Sequence, residues 1–494
     1  MRKLIIVICS LFVLSAQAQK AINPKPYANT ITEADLKKHL YIVAGKEMEG
    51  RETATEGQRK AAAYIENYFR SLGLLPGNNG SYHQIFPVYQ DSLTNAAIVT
   101  NGNAWKVDQD FAAVVNGNHS FSLMAGEVVF AGNGVVDSAH NPYKSVNASG
   151  RVVLIVPATG RGVNPNTLID NAQRNGAAAV LIVQTGFPRR AANKGQQYTA
   201  GFRRANPVNT FYISDKIATA IMGDDYKNAG TTPSKTYNLE LSLAYNEVVT
   251  RTESSNVIAY LEGTDKKDEY VFLTAHYDHL GKRGDTVIYY GADDDGSGTV
   301  SILEMAEAFA KAKAENKGPR RTIVFMCVSG EEKGLWGSAY YSEHPIFPLE
   351  KTTVDLNIDM IGRIDPTRIK GDSMNYVYVV GDDKLSTDLR TISEATNNKY
   401  SKLELDYKFN DPNDRERIYF RSDHYNFARK GVPIIFYFNG THADYHRPTD
   451  TPDKINYDLY AKRAQFVFYT AWEMANRQDM LKRDLKLDVP ARGF

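Results

Sequence analysis

The sequence predicts an α/β fold, a mostly parallel mixed sheet flanked by helices, and three observations carry that reading. First, near-continuous apolar runs recur after residue 250: YVFLTA (270–275), TIVFMCV (322–328), TVDLNI (353–358), YVYVV (376–380) and VPIIFYF (432–438). Strands covered on both faces need that composition. Second, stretches with helical spacing lie between and after them, marked by Ile302, Leu303, Ala306, Phe309 and Ala310, and later by Ala464, Val467, Phe468 and Ala471. Third, acids and histidines follow several of these runs directly, where open α/β sheets collect their ligands. Alternation of this kind places helices over a parallel sheet.

Ahead of that region, residues 32–74 read as two helices, with Ala61, Ile65, Tyr68, Phe69 and Leu72 on one face and Gly73 and Pro76 as a stop. Between about 84 and 250 the texture changes to short β-like runs, VVF (128–130), VVLIV (152–156) and AVLIV (179–183), set off by Gly, Asn and Pro. The expected division is therefore a catalytic domain in two parts, 19–117 and 246–478, around an inserted β-rich module at 118–245, with a polar tail at 479–494. No internal repeat interrupts this pattern.

The first 18 residues pair Arg2 and Lys3 with an apolar run at 4–14 and small residues at Ala16 and Ala18. This is the make-up of a cleaved secretory signal, and the run falls short of the roughly 20 residues a membrane span needs. The mature chain is expected to be exported, periplasmic or secreted, with no membrane span. Cys9 leaves with the signal, and Cys327 sits in the apolar run IVFMCV as a small core residue, so a disulfide scaffold is excluded. The 58 Lys and Arg balance 57 Asp and Glu to a formal +1, which offers no footprint for nucleic acid or an anionic membrane.

Five polar stretches carry the chemistry: AHYDHLG (275–281), GADDDGSG (291–298), SGEEKG (329–334), NIDMIG (357–362) and DYHRPTDT (444–451). Imidazoles and carboxylates are the ligands of a hydrolytic two-metal site, which also needs a bridging carboxylate and an uncoordinated base. One of Asp293, Asp294 or Asp295 is placed to bridge. Glu331 and Glu332 are neighbours whose side chains diverge, which suits a split between base and ligand. Ser297 and Thr299 are expected to cap the helix that follows the aspartates.

These motifs resemble those of the co-catalytic dizinc aminopeptidases of metallopeptidase family 28, the aminopeptidase Y/S type. The resemblance implies two zinc ions. His276, Asp359 and the bridging Asp294 would hold the first; Asp294, Glu332 and His446 would hold the second. Asp278 would orient the His276 ring, Glu331 would be the general base for a metal-bridged water, and Tyr445 would donate to the oxyanion. The Asp294–Asp295 peptide bond is expected to be cis. Residues 118–245 resemble a protease-associated domain, through GRVVLIVP (150–157) and NAQRNGA (171–177) running into AAVLIV.

The implied activity is removal of N-terminal residues from peptides with a free amino end. Three alternatives remain at this stage. A carboxypeptidase would need a basic pocket, for which Arg363 or Arg421 is available; a glutaminyl-cyclase-like enzyme would use one zinc; a non-catalytic peptide-binding protein would lack ligands. His279, Asp423, His424 and His442 are given bracing or plain polar roles.

Overall fold

The computed structural model describes residues 22–115, 120–158, 164–189, 194–199 and 208–487. The signal segment 1–18 and residues 488–494 of the tail lie outside them. Each of the five apolar runs forms a strand, and the sheet they build runs in the order Glu404–Asp406, Tyr376–Val380, Ile434–Phe438, Thr352–Ile358, Lys266–His276, Arg321–Val328 and Lys235–Leu261. Ile434–Phe438, Thr352–Ile358, Lys266–His276 and Arg321–Val328 are mutually parallel. Tyr376–Val380 and Lys235–Leu261 pair with this group antiparallel. The sheet is mixed and mostly parallel, as its apolar composition requires.

Side-chain alternation divides the strands between two cores. Val271, Leu273 and Ala275 face one side, with Leu36, Leu40, Ile65, Phe309, Phe468 and Trp472 from the helices Glu33–Val43, Glu56–Ser71, Gly298–Ala314 and Tyr457–Asn476. Phe272 faces the other, against Tyr341 and Phe427. Each such large apolar side chain contributes about 1.5–3 kcal/mol by leaving water. Thr32 caps Glu33–Val43 by accepting from the Asp35 N–H at 3.1 Å. Cys327 is a buried free thiol in the first core.

The inserted segment is less purely β than its sequence suggests. Its strands Ser120–Phe130, Val152–Ile155, Ala179–Val183 and Asn209–Ile213 are parallel neighbours, and the helices Pro165–Arg174 and Asp215–Met222 cover them. Short apolar runs such as VVLI carry no record of whether their partners are parallel, so the helices between them were legible only in part. Lys235–Leu261 pairs with Ser120–Phe130 along its first half and with Arg321–Val328 at its end, and it passes residue 245 unbroken. His83–Thr100 runs beside it for its whole length as a ribbon.

Two buried arginines tie the loops at the carboxyl edge of the sheet. Arg51 donates to the carbonyls of Tyr277 (2.7 Å), Val43 (2.8 Å), Tyr290 (2.8 Å) and Gly291 (2.9 Å). Arg463 donates to Tyr376 (2.8 Å), Ile361 (2.9 Å) and Arg363 (2.6 Å). The planar guanidinium suits such multi-point contacts. They fix the backbone on either side of the histidine, aspartate and NIDMIG motifs.

Candidate metal centre

His276 ends Lys266–His276, Asp359 directly follows Thr352–Ile358, and the Glu331–Glu332 pair follows Arg321–Val328 after Ser329 and Gly330. Parallel register therefore delivers them to one edge. Asp294 arrives from the turn between Lys266–His276 and the helix Gly298–Ala314, where the Asp294–Asp295 peptide is cis. His446 comes from the loop after Ile434–Phe438.

Asp294 stands at the centre. Its Oδ1 lies 3.3 Å from His276 Nε2 and its Oδ2 3.1 Å from His446 Nε2. Its neighbours in the triple turn away. Asp293 accepts from the Gly362 N–H at 2.7 Å and lies 3.2 Å from His442 Nε2; Asp295 accepts from the N–H groups of Gly298 (2.8 Å) and Met360 (3.1 Å). Of the three aspartates, Asp294 alone faces both histidines. Asp359 Oδ1 is 3.7 Å and Glu331 Oε2 3.9 Å from His276 Nε2, while Glu332 Oε2 is 3.0 Å from His446 Nε2. The two glutamates do diverge, Glu331 toward His276 and the pocket, Glu332 toward the second histidine.

The electrostatics call for a cation. Asp294 and Asp359 are buried, and the side chains of Glu332 and Glu331 are nearly so. Burial pushes the Glu331 carboxyl well above the ordinary range, and Glu332 and Asp359 add to that against the pull of His276. Burial disfavours charge on His276, yet Glu331, Asp359, Asp278 and Asp294 hold its ring well above its usual pKa. His446 is held up to about 10 against burial by Asp294 and Glu332. His276 Nε2, Asp294 Oδ2 and Glu332 Oε1 are buried and crowd against neighbouring rings and carboxylates at 2.7–3.3 Å without well-formed hydrogen bonds. Buried polar atoms left in that state cost free energy unless something else binds them. Neutral imidazole and carboxylate together are a donor set for Zn²⁺. The residues present therefore fit a metal centre.

Residues 256–471 match the description "Peptidase family M28". The chain carries a family M28 peptidase domain. It resembles a "Probable zinc metalloprotease" of Pyricularia oryzae, 29% identical over 264 residues, which are 45% of this chain and 50% of that protein. It also resembles a "Probable glutamate carboxypeptidase" of Arabidopsis thaliana, 22% identical over 342 residues, 60% of this chain and 47% of that protein. The chain thus spans about half the length of these curated relatives. Among solved structures, the aminopeptidase from Aneurinibacillus sp. strain AM-1 aligns with a TM-score of 0.56 at 20% identity, covering 95% of this chain and 100% of that one. The fold is shared across both halves of the sheet.

Around the M28 centre the structure redistributes several roles. Asp278 meets His276 chiefly through its backbone: Nδ1 is 3.1 Å from the Asp278 carbonyl and 3.7 Å from its carboxylate. That carboxylate accepts from the Thr53 hydroxyl (2.7 Å) and the Glu331 N–H (3.2 Å), so it also sets the Glu331 backbone. Ser297 and Thr299 do not cap the following helix. Ser297 donates to Asp293, and Thr299 donates to the His276 carbonyl at 2.7 Å, because both hydroxyls are buried against the centre instead of facing free helix N–H groups. Tyr445 stacks on His446 with ring centroids 3.9 Å apart, and its hydroxyl accepts from Arg421 at 3.1 Å.

Sequence reasoning gave too little weight to His279 and passed over Asp450. His279 is buried, with Nδ1 2.7 Å from Glu332 Oε1 and 3.9 Å from Asp294 Oδ2. It joins Asp294 and Glu332 in a second group of convergent ligand atoms, alongside His276, Asp294 and Asp359. Its place three residues after His276 in HYDHLG was the available signal. Buried Asp450 accepts from the N–H groups of Asp293 and Asp294 and so fixes the bridging loop. His442 braces Asp293. Asp423 is tied to the Ser338 hydroxyl at 2.5 Å, and His424 lies 2.8 Å from the Tyr419 carbonyl and stacks on Phe436.

Proposed function

We propose that this chain is an exported metallo-aminopeptidase that removes N-terminal residues from peptides. The observation carrying the reading is Asp294, whose two oxygens lie 3.3 Å and 3.1 Å from two histidines with Glu331 beside them. His276, Asp294 and Asp359 would hold one zinc, and Asp294, Glu332 and His446 the other. Bound there, the ions would polarise the scissile carbonyl and acidify water.

The chain's own residues supply the rest. Glu331, outside both ligand sets, accepts a proton from the attacking water and returns it to the leaving amine. Burial keeps the Tyr445 phenol protonated, so its O–H remains a donor toward the developing oxyanion. Asp278 holds His276 and the Glu331 backbone in place. The inserted segment is read as a protease-associated domain that bears on substrate access. The deciding measurement compares free and N-acetylated peptides with the zinc-loaded protein: an aminopeptidase loses the acetylated set, and equal cleavage of both sets sinks the reading.

A carboxypeptidase is the second reading. It draws on Arg421, a cation on the same pocket wall. Cleavage of acetylated peptides from the carboxyl end would favour it.

A further inference from the structure

A small pocket opens beside the candidate metal centre. Ile418, Met360, Phe436 and Phe438 form an apolar wall, and Asp294, Glu331 and Asp359 turn their carboxylates toward the metal-binding groups. Arg421 is the only cation among the residues lining it.

Several other cations near the site are engaged. Arg363 is paired with Asp444 at 3.0 Å, which also holds Lys454 at 2.6 Å. Lys333 is paired with Glu52 at 2.7 Å. Arg51 donates to backbone carbonyls through all three nitrogens, and Arg463 is buried and donates to backbone carbonyls through Nε and Nη1. Among the described residues, Arg421 donates to the Tyr445 hydroxyl and has no carboxylate within ion-pair distance. A guanidinium carries five N–H donors in a fork that matches a carboxylate, so most of this one is free.

We propose that Arg421, with Tyr445, forms a carboxylate-recognising subsite on the pocket wall, so that favoured substrates present a carboxylate close to the scissile bond. That carboxylate is either the terminal group of a very short peptide or an acidic side chain. The inference rests on the exopeptidase reading above. Because Tyr445 stacks on His446, a group held by Arg421 lies one aromatic ring from the metal-binding histidine. Arg421 thereby accounts for a cation that catalysis at the carboxylates does not otherwise use.

The test measures kcat/KM on the zinc-loaded full chain for Ala-Leu against Ala-Leu-amide, and for Glu-Leu-amide against Gln-Leu-amide. In the wild type one of the two ratios should reach about tenfold, mainly through KM, the usual size for a charge-assisted pair. Arg421→Met should bring that ratio toward one, and Arg421→Lys should keep part of it. Ratios taken within one variant cancel any disturbance of Tyr445. A high first ratio identifies a terminal carboxylate, and a high second ratio an acidic side chain. Ratios near one in the wild type, or unchanged in Arg421→Met, overturn the subsite. If the wild type cleaves none of the four peptides, the exopeptidase reading falls, and calorimetric Kd values decide the subsite separately. Zinc-loaded Glu331→Gln should then bind Ala-Leu more tightly than its amide, or Glu-Leu-amide more tightly than Gln-Leu-amide, and Glu331→Gln/Arg421→Met should lose that preference; equal Kd values within both pairs would end the proposal.

Discussion

In the part of the sheet after residue 256, the ends of three parallel strands carry His276, Asp359 and, one turn on, Glu331 and Glu332. In the inserted part, the parallel strands Val152–Ile155, Ala179–Val183 and Asn209–Ile213 run into Val156, Gln184 and Ser214. Both parts have helices packed on a parallel core, and one strand, Lys235–Leu261, belongs to each. The architecture presents whatever its strand ends carry, and among the described residues convergent histidine and carboxylate atoms lie only at the first edge. Fold alone therefore locates two candidate edges, and chemistry selects between them.

Removing the residue that makes the first edge a metal centre should have the largest effect. Asp294→Ala takes away the oxygens facing both His276 and His446, so zinc content should fall below two per chain by elemental analysis and peptide hydrolysis should become undetectable. Two tightly held zinc ions in that variant would erase the distinction between the two edges. Glu331→Gln separates ligand from base at the same edge. Zinc content should be retained while kcat falls about 10²–10⁴-fold, the contribution typical of a placed general base. A variant that lost zinc instead would place Glu331 among the ligands.

The contrast between the edges was legible in the sequence because identity and position coincide there. His276, Asp359 and His446 each follow an apolar run, and the runs themselves were long and apolar enough to read as strands. What could not be read was orientation. Three consecutive aspartates offer the same chemistry, and only the turn's geometry sends Asp293 to Gly362, Asp295 to Met360 and Asp294 to the histidines. His279 was undervalued for the same reason, since its burial against Glu332 depends on how the loop folds back. Arg51 left no ligand-like signature. Its role lies in carbonyl contacts that exist only once Tyr277 and Gly291 are brought together. The parallel pairing of the inserted strands was hidden because strands of four or five residues show little periodicity.

The inserted part can be disturbed without touching ligands. Leu181 is fully buried in its core, and Leu181→Ala should cost about 2–5 kcal/mol in urea unfolding, through lost burial and a residual cavity. Zinc content of the folded protein should not change. Loss of zinc from the folded variant would show that the shared strand transmits damage from one edge to the other.

A buried acid away from both edges sharpens the comparison further. Glu304, on the helix Gly298–Ala314, is 1% exposed and lies 3.5 Å from His39, with Tyr64 and Tyr68 packed beside that ring. Burial raises its carboxyl to about 8, with Glu307 and Asp35 adding to the effect and Lys38 opposing it. Between its ordinary value of 4.5 and about 8 the folded state holds a proton that the unfolded chain releases. Stability must then fall as pH rises through that window. Burial also lowers the pKa of His39, which costs stability in the opposite direction as pH falls below 6.5. Comparison with Glu304→Gln at each pH leaves the His39 contribution largely in common. The variant should gain on the wild type between pH 5 and pH 8, by on the order of 3 kcal/mol from the size of the shift, read from urea midpoints. A difference that stays constant across that range would mean that Glu304 is ionised in the fold. Under the proposed function the strand-end carboxylates would be neutralised by bound metal, whereas this one is neutralised by a proton, so chelator should shift stability through the first group and pH between 5 and 8 through Glu304.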